Sequence, residues 1–328
     1  MENYLPPFDL TLEMFEKSAS IIENLGKLSA VNELERLPRL RKVSKLKSIH
    51  SSLAIENNSL SLDQVTSVIN GKRVLGPEQD ILAVQNAHKA YDMLDDVDPF
   101  DLQEMLNVHG VMMHGLSVEA GQIRSKNVGV FDSEGRVVHT APQPPMASLL
   151  IYQLFDWIKT SDVPMLIKSC VFHYEFEFIH PFNDGNGRMG RLWQTALLAN
   201  WKPIFKYIPI ESVIKDNQAE YYQAIRKSTN EGRSNAFIVF MLGVIDDAVK
   251  NILADSRAHL NHVSSQIKKL MSVMESYPLT AKEIMDKIGI KSRVSFRANY
   301  LLPAIEAGLI SMTEPDNPTS RNQRYFKN

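Results

Sequence analysis

Apolar residues recur at intervals of three and four along most of the chain, the spacing that lays an apolar stripe down one face of an α-helix. The pattern predicts helices over Thr11–Lys27, Val31–His50, Ser61–Asn70, Ile81–Asp95, Asp101–Met113, Met146–Lys159, Pro164–Ile179 and Gly187–Asn200. It resumes over Gln218–Glu231 and Asn235–Leu260. Start signals agree: Ser61-Leu-Asp-Gln and Asp101 open helices after turns. One segment departs from this rhythm. In NVGVFDSEGRVVHT, Asn127–Thr140, the β-prone runs Val128–Phe131 and Arg136–Thr140 flank the turn Asp132-Ser-Glu-Gly135, which predicts a hairpin. Ala141-Pro-Gln-Pro-Pro145 ends it and starts the next helix. A lone hairpin buries little, so it either packs on the helices or offers its edge for binding.

A boundary is expected near His259–Ser265. Beyond it, Gln266–Ser276, Thr280–Ile288 and Ser292–Gly308 read as three helices, and Leu309–Thr313 and Arg324–Phe326 as two short strands around Glu314-Pro-Asp-Asn-Pro318. Three helices and a two-stranded wing form the winged-helix pattern, and LTAKEIMDKIGI followed by KSRVSFRANYLLPAIEAGLI has the helix-turn-helix rhythm. The expected architecture is mainly α. A helical region spans residues 1–100, a central helical domain with the hairpin 101–258, and a winged-helix domain 262–328.

Composition narrows the function. Of the 328 residues, 44% are hydrophobic, enough for a sizeable core, and the net charge of -2 excludes a chain that is polybasic overall. The charge is uneven: His262–Asn328 carries ten Lys/Arg against six Asp/Glu. The single cysteine, Cys170, lies in an apolar run. It excludes an internal disulfide and reads as a small buried hydrophobe rather than a nucleophile. MENYLPPFDLTLEMF lacks the basic start and apolar core of a secretory leader, and no stretch reaches the ~18 apolar residues of a membrane span. A soluble cytoplasmic protein is the expectation.

The chemistry concentrates in His180-Pro-Phe-Asn-Asp184-Gly-Asn-Gly-Arg188-Met-Gly-Arg191, between two apolar helices. Gly185-Asn186-Gly187 permits a tight turn whose exposed N–H groups form an anion nest. The next helix begins at once, so its positive end points into the same space. Arg188 and Arg191, three residues apart, share one helix face and present forked donors to phosphate oxygens. Asp184 is a hard oxygen ligand of the kind Mg²⁺ uses beside phosphates, and His180 is the only side chain here with base character near neutral pH. The set suits attack by a hydroxyl on a Mg-bound polyphosphate. Any one of these features alone is ordinary. Their joint spacing is not. There is no HExxH spacing around His173 and no Walker A loop.

The segment resembles the Fic motif, His-x-Phe-x-Asp/Glu-Gly-Asn-Gly-Arg-x-x-Arg, at every fixed position. The resemblance implies a Fic-type helical domain with a hairpin flap and the transfer of AMP from ATP to a Ser, Thr or Tyr hydroxyl of a protein. His180 would deprotonate the hydroxyl, Phe182 anchor the loop, and Asp184 hold Mg²⁺ across the α- and β-phosphates. Gly185, Asn186 and Gly187 would cradle the phosphates, and Arg188 and Arg191 bind the β- and γ-phosphates. Gly121-Gln-Ile-Arg124 resembles the approach to the flap, Asn127–Thr140 the flap that holds a target by strand addition. Glu220-Tyr221-Tyr222 resembles the helix near the nucleoside pocket, although either tyrosine also reads as ordinary helix packing.

A second motif lies upstream. Ser52-Leu-Ala-Ile-Glu56-Asn57 fits the family's inhibitory pattern Ser/Thr-x-x-x-Glu-Gly/Asn. Ser52 and Glu56 sit one turn apart on one helix face; on its own the segment is also a natural helix stop. The resemblance implies that Glu56 pairs with Arg191 and keeps it from the γ-phosphate. The implied partners are ATP, a protein substrate held at residues 127–140, and the chain itself as a target of self-modification, with a homodimer possible and no membrane. Two alternatives stand beside the transferase. One is a DNA-binding regulator using Lys291, Arg293 and Arg297 of the tail, with Arg321 and Arg324 on the wing. The other is hydrolytic removal of AMP from a modified protein, with Glu56 orienting water.

Overall fold

A computed structural model of the chain describes residues 5–31, 38–131, 137–275, 277–306, 308–315, 317–318 and 320–328. The chain forms two compact units, Met1–Leu253 and Ala254–Asn328. The first contains α1 (Leu12–Val31), α2 (Pro38–Ile55), α3 (Leu62–Ile69), α4 (Glu78–Asp92) and α5 (Leu102–Met112). The hairpin strands β1 (Gly129–Phe131) and β2 (Val137–Thr140) follow. After them come α6 (Pro144–Thr160), α7 (Met165–Ile179), α8 (Asn186–Trp201), α9 (Ile210–Asp216), α10 (Gln218–Glu231) and the start of α11 (Asn235–Met271).

Helix starts follow local chemistry. Ser61 Oγ accepts from Gln64 N and Gln64 Oε1 accepts from Ser61 N, a reciprocal cap on α3. Asp101 Oδ1 accepts from Gln103 N and opens α5. At the centre, α7 packs along α8 and against α6. Almost every residue of α7 is buried, so it lacks a polar face and sits inside the bundle. Its burial includes His173, Glu175 and Glu177, polar groups placed behind the loop that α7 feeds. Helix α2 lies against α9 and α4 and reaches α8, which brings its C-terminal end to the same loop.

Several boundaries differ from the periodicity. The stretch predicted as one helix over Val31–His50 contains the last residue of α1 and most of α2, with residues 32–37 outside the described set. Helix α2 continues to Ile55, past His50, and α9 carries no sequence signal because seven residues are too few to show a period. The hairpin pairs antiparallel as predicted, Gly129 opposite Thr140 and Val130 opposite His139, with a bulge before Phe131. Its turn, Asp132-Ser-Glu-Gly135, lies outside the described residues, as does Arg136.

The second unit contains the end of α11, then β3 (Leu279–Thr280), α12 (Ala281–Ile288), α13 (Arg293–Phe296), α14 (Leu302–Glu306), β4 (Ile310–Met312) and β5 (Arg324–Lys327). One π-helical turn, Arg297–Leu301, joins α13 to α14, so the helix predicted over Ser292–Gly308 runs continuously from Arg293 to Glu306 with a local widening. Helix α11 runs through the expected boundary to Met271, so Gln266–Ser276 is not a separate helix. The sheet has three antiparallel strands in the order β3-β5-β4; the sequence reading missed β3, only two residues long. Ile284, Ile288, Phe296, Leu301, Ile310 and Tyr325 fill its core. Among the described residues no helix is long and apolar enough to cross a membrane.

Candidate active site

Helix α7 ends at His180, which adopts the left-handed conformation (φ 51°, ψ 61°). This is an unfavourable region for a residue with a β-carbon, so the surroundings must hold it. Arg124 does so from the approach to the hairpin. Its Nε donates to His180 O at 2.7 Å and its Nη2 to Ile179 O at 3.3 Å, while its backbone N donates to Pro181 O at 2.9 Å. Its remaining donors meet Lys126 O and Pro142 O, so one guanidinium ties the loop to both flanks of the hairpin. His180 itself turns Nδ1 back to Glu177 O at 3.3 Å.

The middle of the loop is fixed from α5. The His109 ring stacks on Phe182 with centroids 3.6 Å apart and 5° between planes. Its Nε2–H donates to Asp184 O at 3.0 Å and its Nδ1 accepts from Gly121 N at 2.9 Å. Those partners specify one neutral tautomer, and burial pushes the ring down to about 4. Asn186 closes the turn: its Nδ2 donates to Phe182 O and its Oδ1 accepts from Phe182 N. The Asn186 side chain therefore braces the loop, and only its backbone N–H remains toward an anion.

Two glycines give the turn its shape. Gly185 has φ +87°, and a β-carbon there would lie 2.7 Å from Met113 Sδ. A β-carbon on Gly187 would strike the Glu56 carboxylate and lie 3.0 Å from Arg191 Nη1. Helix α8 then starts with its free N–H groups facing this cradle. Arg188 Nη2 donates to Asp184 Oδ1 at 2.9 Å, while Arg188 Nε is buried without a hydrogen-bond partner among the described residues. A buried guanidinium donor with no acceptor fits a site that receives an anion. The Asp184 side chain is 57% exposed and open to solvent on its outer side.

Glu56 reaches this cradle from the end of α2. Arg191 Nη2 donates to Glu56 Oε1 at 2.8 Å and to Ser52 O at 3.0 Å, and Arg191 Nε donates to Ser52 Oγ at 3.2 Å. Burial is the largest influence and works against the Arg191 charge, but the Glu56 carboxylate, together with Tyr221 and Glu177, outweighs it and moves the guanidinium pKa up. Chemically, the Glu56 carboxylate stands at Arg191 where an anionic ligand oxygen would. Asn57, with φ 64°, turns the chain out of the helix, and Asn58 N donates to Leu53 O to close it. The Ser52–Asn57 segment is thus both a helix stop and a clamp on Arg191.

Behind the loop, Tyr221 O–H donates to His173 Nε2 at 3.1 Å, and His173 Nδ1–H donates to Gln194 Oε1 at 2.6 Å. Tyr221 is 2% exposed, with its hydroxyl committed to this relay. Tyr222 is half-buried and meets Tyr221 edge-on. Gln218 on the same helix donates to Ile55 O, joining α10 to the end of α2. Burial pushes the Cys170 thiol up to about 12, which suits a packing residue.

The structure thus gathers His180, Asp184, Gly185, Gly187, Arg188 and Arg191 around one cradle and adds Ser52 and Glu56 from more than a hundred residues away. The sequence reading missed His109 and Glu177. His109 sits in the apolar stripe Met105-Val108-Met112, where a polar residue was the only signal.

A model of the Fic/DOC family matches residues 99–198, and one of the Filamentation induced by cAMP protein Fic-like, C-terminal domain, matches residues 265–326. A Fic family protein from Desulfovibrio desulfuricans G20 is 42% identical and superposes with a TM-score of 0.75, covering 99% of this chain and 98% of its own. A protein adenylyltransferase Fic from Culex quinquefasciatus is 27% identical over 252 residues, 69% of this chain and 48% of that protein. One from Nematostella vectensis is 26% identical over 263 residues, 75% of this chain and 57% of that protein. The chain spans about half the length of the curated relatives it matches.

Proposed function

The chain belongs to the Fic family, and from that premise we propose that it transfers AMP from ATP to a hydroxyl of a protein side chain and that Glu56 restrains it. One observation carries the restraint: among the described residues the Arg191 guanidinium makes three hydrogen bonds, all to Ser52 and Glu56. An arginine so held offers no fork to a γ-phosphate until Glu56 withdraws.

The transfer reading rests on where charges and donors stand. The α8 N-terminus, the Gly185–Gly187 turn and the unpartnered Arg188 Nε form a cradle for the polyphosphate of ATP. His180, with Nδ1 turned inward, offers Nε2 to a target hydroxyl as general base. Attack of that oxygen on the α-phosphorus forms the AMP ester, and pyrophosphate leaves with the bonding electrons. The donor set fits Mg²⁺, since one exposed carboxylate, Asp184, beside a phosphate cradle is the kind of ligand this ion takes while keeping its waters. Asp184 would hold the ion, which supplies charge neutralisation for the phosphates. Tyr222 and Gln218, beside the end of α2, are the candidates for the nucleoside side. Tyr221 supports them from behind through His173.

On this reading residues 1–100 carry the restraint and 101–258 the chemistry. The β1–β2 hairpin offers backbone pairing to a target segment, and β2 lies alongside α10. Residues 262–328 form an accessory winged-helix domain. Incubating the chain and its Glu56→Gly variant with labelled ATP, GTP, UTP and CTP, alone and with lysate, tests the proposal. Labelled protein from ATP supports it, and no transfer from any nucleotide by the folded variant refutes it.

A further inference from the structure

Glu177 takes no part in the roles assigned so far. It lies on the last turn of α7, three residues before His180, and its side chain is 4% exposed. Oε1 is buried without a hydrogen-bond partner among the described residues, and a β-carbon on Gly190 would lie 2.7 Å from it. A buried oxygen left without a donor is costly, so its persistence at this place asks for a reason. Titratable groups surround it. His173 Nε2 is 3.8 Å from Oε1, and His180 Nδ1 is 3.9 Å from Oε2. Arg191 faces it from α8, Glu56 from the end of α2, and Tyr221 and Tyr222 from α10.

Resting on the transfer reaction proposed above, we propose that Glu177 is a positioning residue for His180: it backs the Nδ1 edge of the ring and supplies the negative charge against which the ring takes up a proton. Its backbone carbonyl accepts from Nδ1 and its carboxyl stands beside the same edge. During transfer the hydroxyl oxygen bonds to the α-phosphorus, the bond to pyrophosphate breaks, and the hydroxyl proton moves to His180 Nε2. The ring becomes a cation and later returns the proton to water. An ionised carboxylate near Nδ1 favours that cation; a protonated one does not.

Burial pushes the Glu177 carboxyl up to about 8, Arg191 draws it down, and Glu56 pushes it up. Glu56 therefore opposes the ionisation of Glu177 as well as occupying Arg191. Removing Glu56 lets Glu177 ionise at lower pH, so release of the restraint frees the phosphate clamp and strengthens the base together.

The test uses the full chain as Glu56→Gly, Glu56→Gly/Glu177→Gln and Glu56→Gly/Glu177→Asp. Initial self-modification rates with α-labelled ATP are measured between about pH 6 and pH 9 at subsaturating ATP, where the profile reports groups of the free enzyme. In parallel, the imidazole ¹⁵N signals of His180, assigned by their loss in His180→Ala, are titrated. Glu177→Gln is expected to lower the His180 pKa by about one unit and the rate about tenfold. It should also abolish one rising limb of the profile, with the ATP concentration for half-maximal rate unchanged. Glu177→Asp, which keeps the charge, should retain that limb. An unchanged His180 titration and profile in Glu177→Gln, or equal losses in both variants, assigns Glu177 to packing and overturns the proposal. The NMR arm does not need transfer. A His180 shift in a protein that moves no AMP would sink the transferase reading alone, and brisk transfer with no shift would sink this one alone.

Discussion

Replacing Glu56 with glycine is expected to raise AMP transfer by roughly tenfold to a hundredfold, since about 1.4 kcal/mol corresponds to each factor of ten. The perturbation removes one charge-assisted bond of 2.8 Å, almost fully buried on the Arg191 side (1% exposed) and a third exposed on the Glu56 side (35%). Such a bond contributes about 1.5–3 kcal/mol when shielded, and solvent at the carboxylate draws it toward the lower figure. A γ-phosphate that needs Arg191 has to displace that contact first, so the same quantity appears in the rate. The backbone change is mild. Helix α2 ends at Ile55 and Asn57 already turns left-handed, so glycine at 56 falls outside the last helical turn. Arg191 keeps both bonds to Ser52, so a loss of about 1 kcal/mol, or about 2–4 °C in Tm, is expected. The assay is self-modification with α-labelled ATP for wild type, Glu56→Gly and Glu56→Gly/Arg191→Ala. The gain should vanish in the double variant, because Arg191 is the group released. A Glu56→Gly protein that is folded, binds ATP and is no faster than wild type refutes the restraint and leaves Ser52–Asn57 as a helix terminus.

Other outcomes follow from the same geometry. His180→Ala is expected to lower transfer about a hundredfold or more while isothermal titration still shows ATP binding; transfer at the wild-type rate would remove His180 as base. Asp184→Ala should shift activity to higher Mg²⁺, and undiminished activity at low Mg²⁺ would dismiss its role as a ligand. His109 and His173 are held neutral by burial, at about 4 and about 3 against an ordinary 6.5. Their folded values are depressed, so the stability they contribute is full above pH 6.5 and is lost as pH falls toward the folded values. The loss is about 1.4 kcal/mol per pH unit for each. Thermal melts across that interval should show a falling Tm that His109→Gln makes shallower; a flat Tm would contradict buried neutral rings. Val137→Pro, at a paired position of β2, should reduce labelling of a protein target more than ATP binding, because proline removes a strand donor. Equal loss of both would mark the hairpin as structural only.

The candidate loop was legible because its groups are contiguous. Base, carboxylate, turn glycines and two arginines fall within twelve residues, and helix capping and glycine torsions are properties of a short stretch of chain. The Ser52–Asn57 contact with Arg191 was half legible. Its one-turn spacing put Ser52 and Glu56 on one face, and only the family resemblance named Arg191 as the partner. His109 was invisible as a functional residue, since nothing local tells which backbone atom a histidine in an apolar stripe will lock seventy-five residues away. Tyr221 illustrates the converse. Sequence left packing and nucleotide contact both open, and only the structure shows that the ring is buried with its hydroxyl bonded to His173.

By itself, then, the sequence determined which segments become helices, where most of them start, and which side chains one loop gathers, because period, caps and turn torsions act over a few residues. The tertiary structure decided which faces meet. Packing of α2 on α9 and α8 delivers Glu56 to Arg191, the burial of α7 raises the Glu177 carboxyl beside His180, and α5 presses His109 onto Phe182. Those outcomes depend on how whole helices exclude water from one another and on the charges they bring together when they do, and no local window of sequence contains either.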